Sequence, residues 1–295
     1  MSDFYNSFFI LVKIVNLFII IKIIRNFNER KLTRRPKDIF FFNRTFIECH
    51  RGMNREVFQN TLESFRRAIY YNIEAIETDV WLSKDNITVL HHGYGEKGEV
   101  SGYFDRPGNI TNLTWEELST YRTVSNNLKM AKLSDVMKLA KDKIFINLEI
   151  KDPRVNLIFP YITKLIEEYN FFDQISLSSF NHAYYYKVKE YNKKNNRSLV
   201  FGFIYRKNIV ESFDYTKRGN SINIYWKEAT KKVCSQAHEN GMAVLVWFDM
   251  NEEENEEIFK RLIENGVDII CCNEPLLAKK YVKFYYYKNY NMKMK

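Results

Sequence analysis

From about residue 44 onward the chain alternates short runs of β-branched and aromatic residues with longer stretches whose apolar positions recur at helical spacing. The short runs predict strands at 44–50, 75–82, 143–150, 174–179, 198–204, 221–225, 243–248 and 267–272, with a further short one at 86–91. Between them, helical spacing predicts helices at 60–72, near 115–122, and at 133–141, 155–169, 183–192, 227–240 and 252–265, with a weak one after 204. The 155–169 stretch shows the pattern clearly, with Ile158, Ile162, Leu165 and Ile166 on one stripe, and Gly241 and Gly266 stand where helices should stop. Repeated strand–helix units imply a parallel sheet, and eight of them imply a closed, TIM-like (β/α)8 barrel. Such a barrel needs about 250 residues, which leaves room in a 295-residue chain for one catalytic domain and a short extension. The expected division is a hydrophobic anchor and basic linker over 1–40, the barrel over 44–280 and a C-terminal tail over 281–295.

The extension follows a different pattern. Residues 8–24 are almost all large and apolar, interrupted by Lys13, Asn16 and Lys22. That length is at the short edge of the ~17–25 residues a spanning helix needs, and Lys13 is its main cost. A single N-terminal membrane anchor is therefore expected. A helix lying in the interface is the alternative, because Asn6, Lys13 and Asn16 share one helical face. A cleaved signal fits less well, since no small-residue cleavage site follows. Arg30, Lys31, Arg34, Arg35 and Lys37 come after the run and only Asp3 before it, so the positive-inside rule puts the catalytic domain on the cytosolic side. Sequons such as Asn86-Ile87-Thr88 and Asn112-Leu113-Thr114 point the other way, but arise by chance in an Asn-rich chain.

Charge and cysteines refine this only slightly. The formal charge is +9, without one long basic patch, so a membrane surface or an anionic small molecule is the expected partner and nucleic acid is not. Cys49, Cys234, Cys271 and Cys272 have neither zinc-site nor disulfide spacing and read as buried thiols.

Functional groups in a barrel sit at the C-terminal ends of strands, and charge recurs there. His50 ends the first strand and is followed by Arg51 and Gly52. Glu77 and Asp79 lie two apart on the second strand, so both side chains face the same side. Glu149 and Lys151 repeat that spacing at the end of the third, and His92 follows the short strand after Asp79. Three carboxylates make an all-oxygen site for a hard divalent cation, Mg²⁺ or Ca²⁺. Arg51 and Lys151 suit phosphate oxygens, and two histidines near one phosphorus suit acid–base transfer. Each motif alone reads as surface decoration or a structural histidine. Together, inside a barrel, they need a metal or partners, because unpaired buried charge costs several kcal/mol.

The ordered set resembles the glycerophosphodiester phosphodiesterase family. His50-Arg51-Gly52 resembles its HRG signature, and Asn60-Thr61 with Phe65 and Ala68 its ENT helix. Ile76-Glu77-Thr78-Asp79-Val80 resembles its IExDV strand, Ser83-Lys84-Asp85 its TKD, Val89-Leu90-His91-His92 its VVxHD, and Leu148-Glu149-Ile150-Lys151 its LEIK. Val246-Trp247, Gly266-Val267-Asp268 and Glu274-Pro275 resemble the closing segments, so the likeness runs from about residue 45 to 278. It implies metal-dependent hydrolysis of a glycerophosphodiester to glycerol 3-phosphate and an alcohol. His50 and His92 would act in acid–base roles and Glu77, Asp79 and Glu149 on the metal. Phe58-Gln59, Gly93 and Cys272 depart from the family pattern, which puts substrate preference rather than activity in doubt. A lysophospholipase D acting on membrane lysophospholipids is the variant reading. An inactive phospholipid-binding module, and a phosphoinositide phospholipase C-like barrel, fit the histidines, carboxylates and Lys151 less well.

Three further expectations concern the surroundings. Trp247 ends the seventh strand and is expected to pack on the substrate. Residues 93–108 hold five of the ten glycines and read as a mobile loop beside His92. Glu48, two residues before His50 on the same strand, should face the interior and accept a hydrogen bond from His50, Lys151 or another interior donor. Asn60 is likewise expected in the supporting shell.

Overall fold

Each strand run buries both faces, as a sheet covered by helices requires: all eight positions of β2 (Ala75–Leu82) are buried. In the computed structural model, residues 44–206 and 220–293 are described. They contain β1 (Phe46–Cys49), β2, β3 (Thr88–Leu90), β4 (Ala131–Lys132), β5 (Phe145–Ile150), β6 (Ile175–Ser179), β7 (Val200–Tyr205), β8 (Ser221–Tyr225), β9 (Ala243–Trp247) and β10 (Ile269–Cys272). β1, β2 and β5 to β10 pair with one another in parallel. β1 pairs with both β10 and β2, so these eight strands close into a barrel. β3 and β4 continue from β2 as an antiparallel flap outside it.

The helices are α1 (Leu62–Tyr70), α2 (Trp115–Leu118), α3 (Leu133–Ala140), α4 (Val155–Glu168), α5 (Ala183–Asn195), α6 (Lys231–Glu239), α7 (Glu256–Asn265) and α8 (Pro275–Lys293). Capping moves several boundaries inward. Thr230 caps α6 and Asn255 caps α7, so each starts four residues later than the periodicity predicts. The 227–228 region is instead a 3₁₀ turn. α8 runs through residues assigned to a tail, and its Tyr286 hydroxyl accepts a hydrogen bond from the Thr45 backbone N–H at 3.0 Å. The apolar run at 8–24, the basic cluster after it and the weak helix after 204 lie outside the described residues. Among the described residues, no helix is long and apolar enough to cross a membrane.

The main core lies between strands and helices, with Phe65, Ile76, Leu148, Phe201, Val246 and Phe259 fully buried in it. Inside the barrel, apolar side chains (Phe46, Val200, Leu245, Ile269) form the lower layer. Above them the filling turns polar, with Glu48, Asn147, Ser178 and Asn223 buried. A barrel usually fills such layers with branched apolar residues, so this polarity marks the end where chemistry is done.

The stretch expected to be a mobile loop, 93–108, is instead built on a small core of its own. Trp81, Val89, Val100, Phe104, Ile110, Leu118, Tyr121 and Met130 pack together beside β3. Gly93 and Gly98 have φ of +61° and +67°, and a Cβ on Gly98 would stand 2.9 Å from the Trp81 ring. The glycines are there because the backbone lies against the indole, not to make the segment slack.

Candidate active site

His50 follows β1 directly, and its backbone N–H donates to the Cys272 carbonyl at 3.0 Å. The chain then turns sharply. Arg51 sits at φ +58° and Asn60 at φ +55°, and the Asn60 N–H donates to the Arg51 carbonyl at 3.0 Å. Thr61 caps α1 in a capping box with Ser64. This turn delivers two polar groups to the β2 carboxylates. The Arg51 backbone N–H donates to Glu77 Oε2 at 2.8 Å, and Asn60 Nδ2 donates to Asp79 Oδ2 at 2.9 Å. Asn60 Oδ1 accepts from the Thr78 hydroxyl at 2.7 Å, which fixes the orientation of the amide. The Arg51 guanidinium adds an ion pair to Asp79 Oδ2 at 3.3 Å.

Parallel pairing of β2 with β5 sets Asp79 opposite Glu149 and Glu77 opposite Asn147. One oxygen each from Glu77, Asp79 and Glu149 lies within 4.8 Å of the others. Glu77 Oε1 and Asp79 Oδ1 are buried and accept no hydrogen bond, and Glu149 Oε1 has only the Lys151 ammonium beside it, at 2.9 Å. Burial, reinforced by Asp79 and Glu149, pushes Glu77 well above the usual carboxylate range. Burial also raises Glu149, despite the Lys151 ammonium 2.9 Å away. Asp79 is held low: burial raises it, but Arg51, His92, Lys151 and the Asn60 hydrogen bond together outweigh that. Buried carboxylates of this kind, with bare oxygens converging on one point, fit a hard divalent cation supplied from outside.

The two histidines reach the same cavity. Its volume is about 680 Å³, and His50, Arg51, Glu77, His92, Glu149 and Lys151 line its inner end. Lys151 Nζ lies 3.5 Å from His92 Nε2 and 4.0 Å from Asp79 Oδ1. Burial lowers His50 to about 3, with Arg51 next in effect, and lowers His92 to about 4. Both are therefore neutral near pH 7. Of the residues expected in the catalytic, metal and phosphate roles, His50, Arg51, Glu77, His92, Glu149, Lys151 and Trp247 line this cavity, while Asp79 is fully buried and reaches the group through one oxygen within 4.8 Å of Glu77 and Glu149.

A family model described as the glycerophosphoryl diester phosphodiesterase family matches residues 50–277. The chain belongs to the glycerophosphoryl diester phosphodiesterase family. It is 29% identical over 248 residues to a glycerophosphodiester phosphodiesterase of Caldanaerobacter subterraneus, covering 79% of this chain and 95% of that one. It is 26% identical to the enzyme of the same name from Bacillus altitudinis, covering 80% and 97%. In fold it is similar to an Oleispira antarctica phosphodiesterase solved with the product sn-glycerol-3-phosphate. That TM-score is 0.70 at 19% identity, covering 81% of this chain and 97% of the other. The chain is accordingly a phosphoric diester hydrolase.

Other features of this glycerophosphodiesterase pocket depart from the sequence reading or were missed by it. Glu48 points inward as expected, and of the expected donors it is another interior one, Asn147 Nδ2 at 3.0 Å, that its carboxylate accepts from, not His50 or Lys151. Asn147 Oδ1 in turn accepts from the Ser178 hydroxyl at 2.8 Å. Burial raises Glu48 to about 7. Trp247 lines the outer half of the cavity with Phe180, Tyr94 and Tyr103. Its ring lies 6.1 Å from Phe180 and 5.4 Å from Tyr225. The Arg206 guanidinium covers Trp247 at 5.0 Å and is clasped by both oxygens of Asp249, at 2.9 and 3.1 Å. The ring partner of His50 is Asn273, at 3.1 Å. Arg206 and Asn273 both follow barrel strands directly, so the rule that strand ends carry function would have found them. Tyr94 and Tyr103, whose hydroxyls hydrogen bond each other, come from the glycine-rich segment and had no such signal.

Proposed function

We propose that the chain hydrolyses glycerophosphodiesters to glycerol 3-phosphate and an alcohol in a reaction that depends on a divalent cation, Mg²⁺ or Ca²⁺. The observation that carries this is the trio of carboxylates within 4.8 Å of one another, Glu77 and Asp79 buried with an unpartnered oxygen each and Glu149 paired only with Lys151, beside two histidines that line the same cavity. Glu77, Asp79 and Glu149 would hold the cation, which when bound neutralises phosphate charge and stabilises charge built up in the transition state. Arg51 and Lys151 bind the remaining phosphate oxygens. Asn60 and the Arg51 backbone keep the carboxylates aimed inward. His50 and His92 are placed to take a proton from the attacking oxygen and, from the ring so protonated, to return one to the leaving oxygen. Trp247 and Phe180 give the alcohol group an apolar wall. The product found in the Oleispira relative supports the glycerol 3-phosphate side of this reading.

Turnover by the full chain is measured on water-soluble glycerophosphodiesters and on lysophospholipids, with Mg²⁺, with Ca²⁺ and with EDTA. Activity with either metal and its loss in EDTA are expected. Glu149→Gln should lower metal affinity and activity together, by about 10³-fold in activity, while the fold survives. Full activity in EDTA would overturn the metal role. The exposed Tyr94 and Phe180 at the mouth (49% and 47%) favour a lysophospholipid as the second substrate. Turnover of lysophospholipid above the soluble diesters would make that the principal reaction. We further propose that the 8–24 run anchors the chain on a membrane with the barrel on the cytosolic side. Recovery of the full chain in the soluble fraction would end that reading.

A further inference from the structure

Among the described residues, the imidazole of His50 makes one hydrogen bond, between Nδ1 and Asn273 Oδ1 at 3.1 Å. The amide decides which atom donates. Asn273 Nδ2 donates to the Glu254 carboxylate at 2.7 Å and to the Asp249 backbone carbonyl at 3.1 Å. A backbone carbonyl only accepts, so that end of the amide must be nitrogen. Asn273 Oδ1 also accepts from Asn54 Nδ2 at 2.7 Å, and that same nitrogen donates to the His50 carbonyl at 2.7 Å. Turning the amide over would set two NH₂ groups against each other and lose the bonds to Glu254 and Asp249. An oxygen therefore faces His50, and the proton lies on Nδ1. A neutral imidazole has a single N–H, so Nε2 carries the lone pair, and the ring lines the cavity.

The clamp behind the amide is stiff. Glu254 is buried at 7% exposure and also accepts from the backbone N–H groups of Asn273, at 2.8 and 3.0 Å, and of Glu274, at 2.8 Å. Among the described residues, no comparable device serves His92. Its Nδ1 is buried without a partner, and its Nε2 faces the Lys151 ammonium, which has only protons to offer.

We propose that Glu254 and Asn273 form a positioning relay that locks His50 as the Nδ1–H tautomer and presents Nε2 to the cavity as the proton acceptor. Asn273 is a positioning residue: when His50 takes a proton on Nε2, the Nδ1–H stays on the amide oxygen and the ring does not turn. The charged and titratable groups around His50 are Arg51, Asp79 and His92. Arg51 and burial favour the neutral ring that the lock requires. The inference rests on the acid–base reading of His50 given above.

The test is nitrogen NMR of the full chain carrying ¹⁵N-histidine, with the His50 signals assigned by loss in His50→Gln. In the wild type His50 should show a protonated Nδ1 and a bare Nε2. Asn273→Leu should move His50 toward the opposite tautomer and lower kcat by about 10- to 100-fold, with KM changed less than about twofold. Asn273→Asp keeps an acceptor but adds charge, so the acid limb of the kcat/KM profile should move up by about one pH unit. A wild-type His50 protonated on Nε2 would overturn the relay, as would Asn273→Leu with wild-type kcat. If Asn273→Leu does not fold, the wild-type spectrum still decides. A locked Nδ1–H tautomer in a chain without diesterase activity would uphold the relay and count against the acid–base reading instead.

Discussion

His50 and His92 face one cavity from walls of different construction. His50 stands at the end of a barrel strand, between β10 and β2, and its ring is tied through Asn273 to Asn54 and Glu254. His92 stands beyond β3, outside the closed barrel, on the stretch that packs around Trp81. Its ring has the Lys151 ammonium at 3.5 Å and the edge of Tyr94 at 5.3 Å. One histidine is aimed by directional hydrogen bonds between strand ends. The other is aimed by the packing of an added layer, which is less selective about ring orientation. The same pocket thus joins a wall set by barrel closure to a wall set by a separate small core.

The comparison can be tested most severely at the rings themselves. His50→Ala and His92→Ala should each cost about 10²- to 10⁴-fold in kcat/KM, measured at saturating metal. If one of them keeps near-wild-type turnover, the cavity has one working histidine and the two walls are not equivalent in function.

The next effect concerns the strand below His50. Glu48 has its carboxyl raised from 4.5 to about 7 by burial. A raised folded value means that stability present below pH 4.5 is lost as pH rises through about 7, by roughly 3 kcal/mol in total. Glu48→Gln should remove this dependence. In EDTA, denaturant melts should find it close to wild type at pH 4.5 and more stable than wild type above pH 7. The activity–pH profile should stay in place, because Glu48 bonds Asn147 and not His50. A shifted profile would join Glu48 to the His50 wall.

The other wall is weakened by Gly98→Ala. The added Cβ meets Trp81 at 2.9 Å from a backbone at φ +67°, for a cost of about 1–3 kcal/mol. Hydrogen exchange should rise across 93–110 while the strands flanking His50 keep their protection. Equal loss of protection on both sides would show that the two walls unfold as one unit.

The smallest effect is a control on the outside of the barrel. His238 Nε2 lies 2.7 Å from Asp268 Oδ2, and that hydrogen bond raises the histidine above its usual 6.5. The stabilisation is complete below pH 6.5 and is lost as pH rises through the higher folded value. With the His238 side chain 41% exposed, solvent screening limits it to less than about 1 kcal/mol. His238→Gln should lower Tm slightly at pH 5.5 and not at pH 9, without any change at the catalytic histidines. A pH-independent change in Tm would show a packing role.

The sequence carried the strands because each barrel strand is a short apolar run with turn signals around it, and that pattern is local. It also carried His50, Glu77, Asp79, His92, Glu149 and Lys151. They stand in or beside strand ends, where a charged residue among apolar neighbours is conspicuous. It was less informative where capping competes with periodicity, as at Asn255, and where glycine serves a close contact rather than freedom, as at Gly98 beside Trp81.

By itself, then, the sequence determined the alternation of strand and helix, the barrel that follows from it and the residue types at the strand ends. Side-chain direction and apolar periodicity repeat within a few residues and need no distant partner. Only the tertiary structure decided which groups are partners. Asn273 is 223 residues from His50, and Asn147 is 99 residues from Glu48. Those contacts exist because barrel closure sets β1 beside β10 and brings the inward faces of β1 and β5 together. Whether a buried carboxylate is bonded or bare, and which nitrogen of an imidazole carries its proton, depends on those distant neighbours, and no local pattern in the chain encodes them.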